Sequence, residues 1–324
     1  MNKILVPFYP IDMRPRQDYL KICADVTGGD MVKVEGKKFS EIAREIRGHN
    51  VHAHGRGFPF PEMGSIFGRR TVYTPHFNNI GSRYLTKKFR KFLFNKYGKV
   101  LALTPHGKAG LMADGIDESR IEILPLPIDY KFFSSPRGGK SFRKKFGLGK
   151  EKFVLASDMR SVKNPRVIID ACRKAGAKLV YIGGLTKKEL RYDWRVPSSD
   201  IIKNDDVVFT GLLKSEQVLQ ALDAATVFVN SSEYESFCLA AYEAASAGVP
   251  MCLPEIGTFD VFRGTALFHH RHDSSQLAGN IERYLSDAGL RKRFSKGARK
   301  KVVRLDYDKV KSMYEDFYER VGFI

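Results

Sequence analysis

Two glutamates stand eight residues apart in a stretch that is otherwise small and apolar. Residues 232–250 read SEYESFCLAAYEAASAGVP, with Glu235 and Glu243 as the acids of that pattern. The Gly-Val-Pro that closes the stretch ends a helix, which we expect to run back to about Phe237. A carboxylate inside so closely packed a helix needs hydrogen-bond donors. Vicinal sugar hydroxyls are suitable donors, as they are for the acidic residue that binds ribose in dinucleotide sites.

The start of the same helix offers a second chemical group, its first backbone amides. Because these N–H groups have no acceptor within the helix, they form a ready site for an anion such as phosphate. They belong to Ser236, Phe237, Cys238 and Leu239. An anion site beside carboxylates that bind a polyol predicts a nucleotide-sugar ligand. The residues alone leave an alternative, in which Glu235 caps the helix and Glu243 pairs with a basic neighbour.

Strands and helices alternate through the second half of the chain, which positions these groups. Apolar runs are followed by amphipathic or small-residue segments of helical length. The expected strands are KFVLASDM, KLVYIGG, VVFTG, VFVNSS and VPMCLP, and the helices follow at NPRVIIDACRKAG, SEQVLQALDAA, CLAAYEAASA and SSQLAGNIERYL. Strands at this spacing require parallel pairing with right-handed crossovers, which predicts a Rossmann-like domain.

The first half repeats the scheme less clearly. Strands are expected at KILVPF, NVHAH, RRTVYTP, KVLALTP and IEILPLP, and helices at 16–26, 39–47, 83–97 and 106–114. The fold class is therefore α/β, with two Rossmann-like parallel-sheet domains facing a central cleft. The expected boundaries are 1–135 for an acceptor domain, 136–149 for a linker and 150–305 for a donor domain, with the helix 306–324 packing back on the first domain.

Composition restricts the class of protein. The chain has 324 residues, a net charge of +19 and four cysteines without disulfide or metal spacing, so we expect a cytoplasmic globular protein. The short apolar start does not resemble a signal peptide, and no run reaches the length of a membrane span. Residues 1–150 hold a net charge of +15 and residues 151–324 only +4. The first half is therefore expected to meet an anionic partner, the alternative being a generally charged surface of the thermophile type.

Much of the positive charge lies in RYLTKKFRKFLFNKYGK, residues 83–99, which has seven basic residues and no acid. Its apolar face is expected to comprise Leu85, Phe89, Phe92, Leu93 and Tyr97. Such a helix can lie on the surface of an anionic membrane, and the protein would then be a peripheral protein on the inner face of the membrane. A helix that packs on the core with a charged outer side explains the pattern equally well. Nucleic acid is a weaker alternative partner, since no nucleic-acid-binding motif is present.

Histidines supply the remaining candidates for chemistry. His52 and His54 alternate along one strand and are expected on opposite faces, which argues against joint metal binding. In FHHRHD, residues 268–273, the histidines stand at a strand-to-helix joint where Asp273 or the next serine would cap a helix. No metal site is therefore predicted. His76 directly follows a strand and is either structural or part of the reacting centre.

The chain resembles the family-four glycosyltransferases of the GT-B class, whose E-x7-E signature is similar to ESFCLAAYE at 235–243. The resemblance covers most of the chain, in order and approximate spacing. The matching segments are NVHAHG, TVYTPHF, LALTPHGK, ILPLPIDYKFF, MRSVKNP, VYIGG, VVFTG and NSSEYESF. One departure is the first loop, PFYPIDMRPRQ, which lacks the glycines that approach the donor phosphates in many members.

The resemblance implies a role for each candidate residue. Glu243 would bind the ribose hydroxyls, Glu235 the hydroxyls of the donor sugar, and the amides at 236–239 the sugar and diphosphate. Backbone at Gly211 and Leu212 would receive the base, and His76 would approach the donor sugar.

In MRSVKNP, Arg160 and Lys163 would clamp the diphosphate, because fixed cations stabilise the charge that develops on it. The family places Gly-Arg where this chain has Ser157 and Asp158, so Arg160 is displaced by two positions. The two basic side chains could instead be solvated charges of a loop.

The expected function is therefore metal-independent hexosyl transfer with retention, from a UDP-sugar or GDP-sugar to an acceptor hydroxyl, without a further cofactor. The basic first half suggests an acceptor linked to a lipid or membrane. Two alternatives share the fold, a non-catalytic subunit that binds a sugar nucleotide and a sugar-nucleotide epimerase.

Overall fold

The computed structural model describes residues 1–6, 14–34, 36–55, 60–76, 91–92, 94–183 and 207–324. These residues divide into two compact units. The first unit is Met1–Pro127 together with Tyr307–Ile324, and the second is Ile128–Asp306. Each unit contains a parallel sheet with helices, so the chain is an α/β protein.

Each sheet has six parallel strands among the described residues. In the first unit they are β1 (Asn2–Val6), β2 (Asp30–Lys33), β3 (Asn50–His54), β4 (Thr71–Thr74), β5 (Lys99–Ala102) and β6 (Ile121–Ile123). In the second they are β7 (Phe153–Ser157), β8 (Lys178–Ile182), β9 (Val207–Phe209), β10 (Val227–Val229), β11 (Met251–Pro254) and β12 (Leu267–His269). The orders across the sheets are β2-β1-β3-β4-β5-β6 and β12-β11-β10-β7-β8-β9.

The helices connect these strands. Those before β7 are α1 (Arg14–Thr27), α2 (Phe39–Ile46), α3 (Phe60–Phe67), α4 (Pro105–Ala113), α5 (Tyr130–Phe133) and α6 (Gly139–Lys145). Those after it are α7 (Pro165–Lys174), α8 (Ser215–Ala224), α9 (Leu239–Ala247), α10 (Ser274–Ser286), α11 (Ala288–Val302) and α12 (Tyr307–Arg320).

The first sheet holds the core of the first unit. Val51, Tyr73 and Val100, on adjacent strands, are fully buried in one apolar cluster, as β-branched and aromatic residues commonly are in sheets. The C-terminal helix α12 belongs to this unit and packs against α1. Sequence patterns did not indicate β2, which is short and largely exposed.

The second sheet carries strands buried on both faces, which is why its sequence reads as continuous apolar runs. Residues 136–149, predicted as a linker, include α6 and lie within this unit. The helix buries Phe142, and its first amide donates to the Asp223 carboxylate at 2.8 Å. The Gly- and Pro-rich composition suggested a linker, but these contacts fold the segment against α8.

Most of the predicted basic helix at 83–97 lies outside the described residues. Within the part that is described, Tyr97 is buried as expected, but Phe92 is 56% exposed and its place on the apolar face is wrong. Phe94 is buried instead and stacks on Tyr73, with ring centroids 4.9 Å apart. The helical residues end at Phe94, and the turn that follows, closed by the Tyr97 amide donating to the Phe94 carbonyl at 3.2 Å, directs both of these rings into the core.

In the ranges described above, no helix combines the length and the apolar content that crossing a bilayer requires.

Truncating a buried leucine of β8 tests the core of the second unit. We expect Leu179→Ala to lower the free energy of unfolding by about 2–5 kcal/mol, because it leaves a cavity in a packed core. Urea denaturation followed by circular dichroism measures the change. Leu212→Ala is the matched control, since the Leu212 side chain is 80% exposed and its loss should cost less than about 0.5 kcal/mol. Equal losses in the two variants would contradict the burial of β8.

Candidate functional site

The order of the second sheet determines where a ligand site can form. β7 is the first strand of the unit but lies at its centre, with β8 on one side and β10 on the other. The loops that follow β7 and β10 therefore run to opposite faces of the sheet and leave a crevice at its carboxyl edge. In open α/β sheets this topological switch point is where ligands bind.

Lys163 and Glu235 meet at this switch point. After β7 the chain makes a 3₁₀ turn at Ser161–Lys163, and Asn164 then adopts the left-handed conformation that starts α7. The turn directs the Lys163 ammonium onto the Glu235 carboxylate, and the two form a salt bridge. Their side chains are only 13% and 10% exposed. The structure thus brings together two residues that the sequence placed in separate motifs.

The surroundings of Glu235 fix its orientation. The Ser232 hydroxyl donates to its carboxylate at 2.8 Å, and the Asn230 amide donates at 3.3 Å. The Thr258 hydroxyl donates to its backbone carbonyl at 2.6 Å. Burial disfavours the charged form of Lys163, but the neighbouring Glu235 carboxylate raises the pKa of Lys163 above its ordinary value. The ammonium therefore stays charged in a nearly dry site.

Arg160 is held by a carboxylate of its own loop. Its Nε lies 2.9 Å from both carboxylate oxygens of Asp158, and its Nη2 also donates to this carboxylate. Burial opposes ionisation of Asp158, yet Arg160 keeps the pKa of Asp158 below its ordinary value. Asp158 has a φ of 70°, and its amide donates to the Ile182 carbonyl at 2.9 Å. The displaced arginine is thus partly neutralised and about half exposed.

Helix α9 begins at Leu239, two residues later than the sequence suggested. The reason is Cys238, whose φ of 67° is left-handed, so it lies outside the helix as its N-cap. Phe237 is buried and stacks on Tyr242 with ring centroids 4.2 Å apart. Among residues 236–239, Phe237 can therefore offer a ligand only its backbone, whereas Ser236, Cys238 and Leu239 are partly exposed.

Glu243 lies inside α9 with its side chain partly buried. Burial raises its pKa to about 7, so that the carboxyl group changes charge near neutrality. Among the described residues, none places a donor or a cation within bonding distance of this carboxyl group. The sequence left open that Glu243 pairs with a basic neighbour, and the described residues contain no such pair.

Gly211 and Leu212 follow β9 at the same carboxyl edge. The Gly211 carbonyl accepts from the Gly183 amide at 3.0 Å, which joins the ends of β8 and β9. Gly211 has a φ of 69°, a conformation that favours glycine. The turn leaves the Leu212 side chain exposed at the edge of the crevice.

His76 belongs to the first unit and follows β4 after one proline. It is buried, and its ring stacks on His54 with centroids 5.7 Å apart. His54 in turn lies 4.0 Å from His52 by ring centroids. The prediction of opposite faces for His52 and His54 was wrong, because residues two apart on a strand point to the same face.

The histidines of residues 268–273 were predicted to lie in a loop, but His269 is the buried last residue of β12, and only His270 and His272 lie in the loop that follows. Asp273 caps α10, accepting from the amides of Ser275 and Gln276 at 2.9 Å each, as the sequence predicted. Over the described ranges, the one group of three residues with close metal-ligating atoms is Cys23, His52 and His54. That cluster was missed, since its cysteine lies far from the histidines in sequence.

Several polar residues around the site were also missed. Asn230 and Ser232 follow β10 directly, and this position at a strand end was the signal that could have identified them. Asn164 donates from its side chain to the carbonyls of Ser231 and Arg271, at 3.0 and 3.3 Å. These contacts bring the loops after β7, β10 and β12 together.

A family model described as glycosyl transferases group 1 matches residues 139–301, half of the chain. The match contains Lys163, Glu235 and Glu243. The chain belongs to this family.

Relatives with assigned activities match part of the chain. A D-inositol 3-phosphate glycosyltransferase from Acidothermus cellulolyticus is 26% identical over 210 residues, which are 60% of this chain and 46% of that protein. A GDP-mannose-dependent alpha-mannosyltransferase from Mycobacterium tuberculosis is 29% identical over 119 residues, 35% of this chain and 30% of that protein. The chain spans about half the length of the inositol-phosphate glycosyltransferases it matches.

A solved structure matches nearly the whole chain. HepE from Anabaena, in complex with UDP and glucose, superposes with a TM-score of 0.81 at 15% identity, covering 98% of this chain and 99% of that one. The prediction of a GT-B fold with two Rossmann-like sheets is confirmed.

The raised pKa of Glu243 predicts a pH dependence of stability. The folded state retains a proton that the unfolded chain releases near pH 4.5, so stability falls as pH rises from about 4.5 to about 7. Glu243→Gln removes this loss, and the variant should gain up to about 3 kcal/mol over wild type above pH 7. Urea denaturation between pH 4.5 and 8.5 measures the difference. Glu216→Gln is the control, because Glu216 is an exposed residue of α8. If the stabilities of wild type and Glu243→Gln changed with pH in the same way, the raised pKa of Glu243 would be contradicted.

Proposed function

We propose that the chain is a retaining glycosyltransferase of the E-x7-E type, which moves a sugar from a nucleoside diphosphate to an acceptor hydroxyl. The observation that carries the proposal is the buried contact between Lys163 and Glu235 at the switch point, beside the start of α9. One crevice thus offers a cation and helix amides to the diphosphate, and a carboxylate to the hydroxyls of the sugar.

The diphosphate would bind Lys163 and the first amides of α9. In the free protein Glu235 neutralises part of the charge of Lys163. A bound donor would offer phosphate oxygens to Lys163, which would exchange one anionic partner for another. It would offer neutral sugar hydroxyls to Glu235, whose carboxylate would accept hydrogen bonds from them. Arg160 uses Nε and Nη2 on Asp158, and we propose that Nη1 reaches the departing phosphate. These fixed cations stabilise the charge that grows as the glycosidic bond breaks.

The nucleoside would lie further along the crevice. Glu243 is partly buried without a donor among the described residues, and ribose hydroxyls would supply the missing hydrogen bonds. The base would rest on the turn at Gly211 and Leu212, whose exposed apolar side chain can cover a planar ring. Backbone at Ser236, Phe237, Cys238 and Leu239 would contact sugar and phosphate.

We propose that the leaving phosphate assists the incoming hydroxyl on the same face of the sugar, which retains the anomeric configuration. By the family resemblance, His76 is the candidate residue of the first unit for the donor sugar. The cations and helix amides would serve at the diphosphate without a divalent metal. Both UDP and GDP remain candidate nucleotides: HepE was crystallised with UDP, and the mycobacterial relative is named for GDP-mannose.

An anionic membrane surface is the partner we propose for the first unit. A groove of about 470 Å³ at the amino ends of β4 and β5 is lined by Arg69, Arg70, Lys96, Lys99 and Arg320. Glu122 forms salt bridges with Lys99 and Arg320, whereas no described carboxylate pairs with the other three. Exposed Phe92, under the Lys96 ammonium at 4.6 Å, adds an apolar contact. The four cysteines form no disulfide with one another, which supports a cytoplasmic location.

Replacing Lys163 tests the donor site. A thermal-shift comparison of UDP, GDP and ADP first selects the nucleotide, because binding to the folded state raises its melting temperature. With the matching sugar donors, we expect Lys163→Ala to lower the rate of donor hydrolysis or transfer by about 10²–10³-fold. Lys174→Ala, an exposed lysine of α7, is the control and should keep the wild-type rate.

The same assay separates the rival functions. A binding subunit would show a thermal shift without releasing nucleoside diphosphate, and an epimerase would change the sugar while it stays attached. Glu243→Ala should abolish most of the thermal shift. Full nucleotide affinity in that variant, or equal rates in the Lys163 and Lys174 variants, would contradict the assigned site.

Vesicle flotation tests the membrane partner. We expect the protein to float with vesicles that contain anionic lipid, to release at high salt and to ignore neutral vesicles. Arg69→Glu with Lys96→Glu should weaken binding at least about ten-fold, because each basic residue near the surface contributes about 1 kcal/mol. Lys150→Glu with Lys292→Glu changes the net charge equally and is the control. Retention by duplex DNA but not by anionic vesicles, at matched salt, would replace the membrane with nucleic acid.

A further inference from the structure

Three metal-ligating side chains from separate elements meet inside the first unit. Cys23 lies on α1, and His52 and His54 lie on β3. All three are fully buried, and their candidate ligand atoms lie within 4.8 Å of one another. A thiol and two imidazoles at this spacing are a ligand combination found at transition-metal sites.

The positions follow from the fold. β3 is an inner strand of the sheet, and its two histidines share a face because they are two residues apart. Tyr318 of α12 joins the cluster: its hydroxyl lies 2.5 Å from His52 Nδ1 and is also hydrogen-bonded to Cys23. On the other side of the ring, His52 Nε2 is 2.8 Å from the Thr74 hydroxyl. Nδ1 is therefore the ring nitrogen that faces the cysteine.

The cluster is suited to a metal in the chemistry of its ligands, which are one thiol sulfur and two imidazole rings. Sulfur and nitrogen ligands favour zinc or copper(I) over magnesium or calcium, which prefer oxygen.

We propose that Cys23, His52 and His54 bind one soft or borderline transition-metal ion, with zinc as the first candidate. On binding, the Cys23 thiol loses its proton to solvent and becomes a thiolate. His52 binds through Nδ1, which Tyr318 leaves, and keeps the Thr74 hydroxyl at Nε2 as the outer contact that orients the ring. The hydroxyl of Tyr318, displaced from Nδ1, would lie next to the fourth coordination position of the ion.

Such an ion would tie α1 to β3 beside α12, which joins the beginning and the end of the chain within one unit. Its role would be structural, because all three ligand residues are fully buried and the ion would have no contact with solvent or substrate. The inference concerns only the first unit and is independent of the donor site proposed above.

Metal content of the full chain tests the assignment. Protein produced in zinc-supplemented medium and desalted should contain about one zinc per chain by mass spectrometry. Cys23→Ser and His54→Asn should each reduce this content at least about ten-fold. Cys172→Ser is the matched control, since Cys172 is also a buried free cysteine but lies in the core of the second unit. Cys172→Ser should therefore still contain about one zinc per chain.

Cobalt distinguishes ligation from loss of folding. Wild-type protein and Cys172→Ser produced with cobalt should show a near-ultraviolet thiolate-to-cobalt absorption band, and Cys23→Ser should lack it while its circular dichroism is unchanged. If Cys23→Ser fails to fold, the band in wild type and its loss in folded His54→Asn decide the question. Wild-type protein without zinc and without the band, or zinc content unaffected by Cys23→Ser, would overturn the proposal.

Discussion

The contact between Lys163 and Glu235 is the interaction around which the second unit organises its carboxyl edge. Two charges leave water at a cost that their mutual attraction offsets only when further hydrogen bonds satisfy them. Ser232 and Asn230 supply those bonds, and both come from the loop that also carries Glu235. The ion pair therefore ties the loop after β7 to the loop after β10, across the point where the strand order reverses.

Helix α9 shows the opposite balance, because its partly buried acid, Glu243, has no donor among the described residues. Its alanines let the helix pack closely, and Gly248 ends it in a left-handed conformation under the Arg299 guanidinium. Glu243 stays in this packed surface without a donor among the described residues, at a cost that appears as a raised pKa. A fold normally avoids such a group unless a ligand completes it. Of all the residues in the crevice, Glu243 has the strongest physical reason to bind hydroxyls.

The first unit presents different chemistry at the two edges of one sheet. Parallel strands place all their amino ends together, and there Arg69, Arg70 and Lys99 line a cationic groove. At the carboxyl ends of β3 and β4 lie His54 and His76, both buried. The length of the strands therefore separates the cationic groove from the buried histidines, so the membrane proposed as the partner of the groove would not compete with a ligand at the other edge.

Local sequence periodicity determined which segments are strands and helices, and their alternation was sufficient for two parallel sheets. Strand ends and helix starts are visible in sequence, and together with the resemblance to glycosyltransferases they made Lys163, Glu235 and Glu243 the candidate residues. Tertiary structure alone decided that α6 joins the second unit, that Asp158 holds Arg160, and that Cys23 lies beside His52 and His54. The physical reason is that periodicity depends on neighbours within a few residues, whereas these contacts depend on strand order and burial, which bring together residues that share no local pattern.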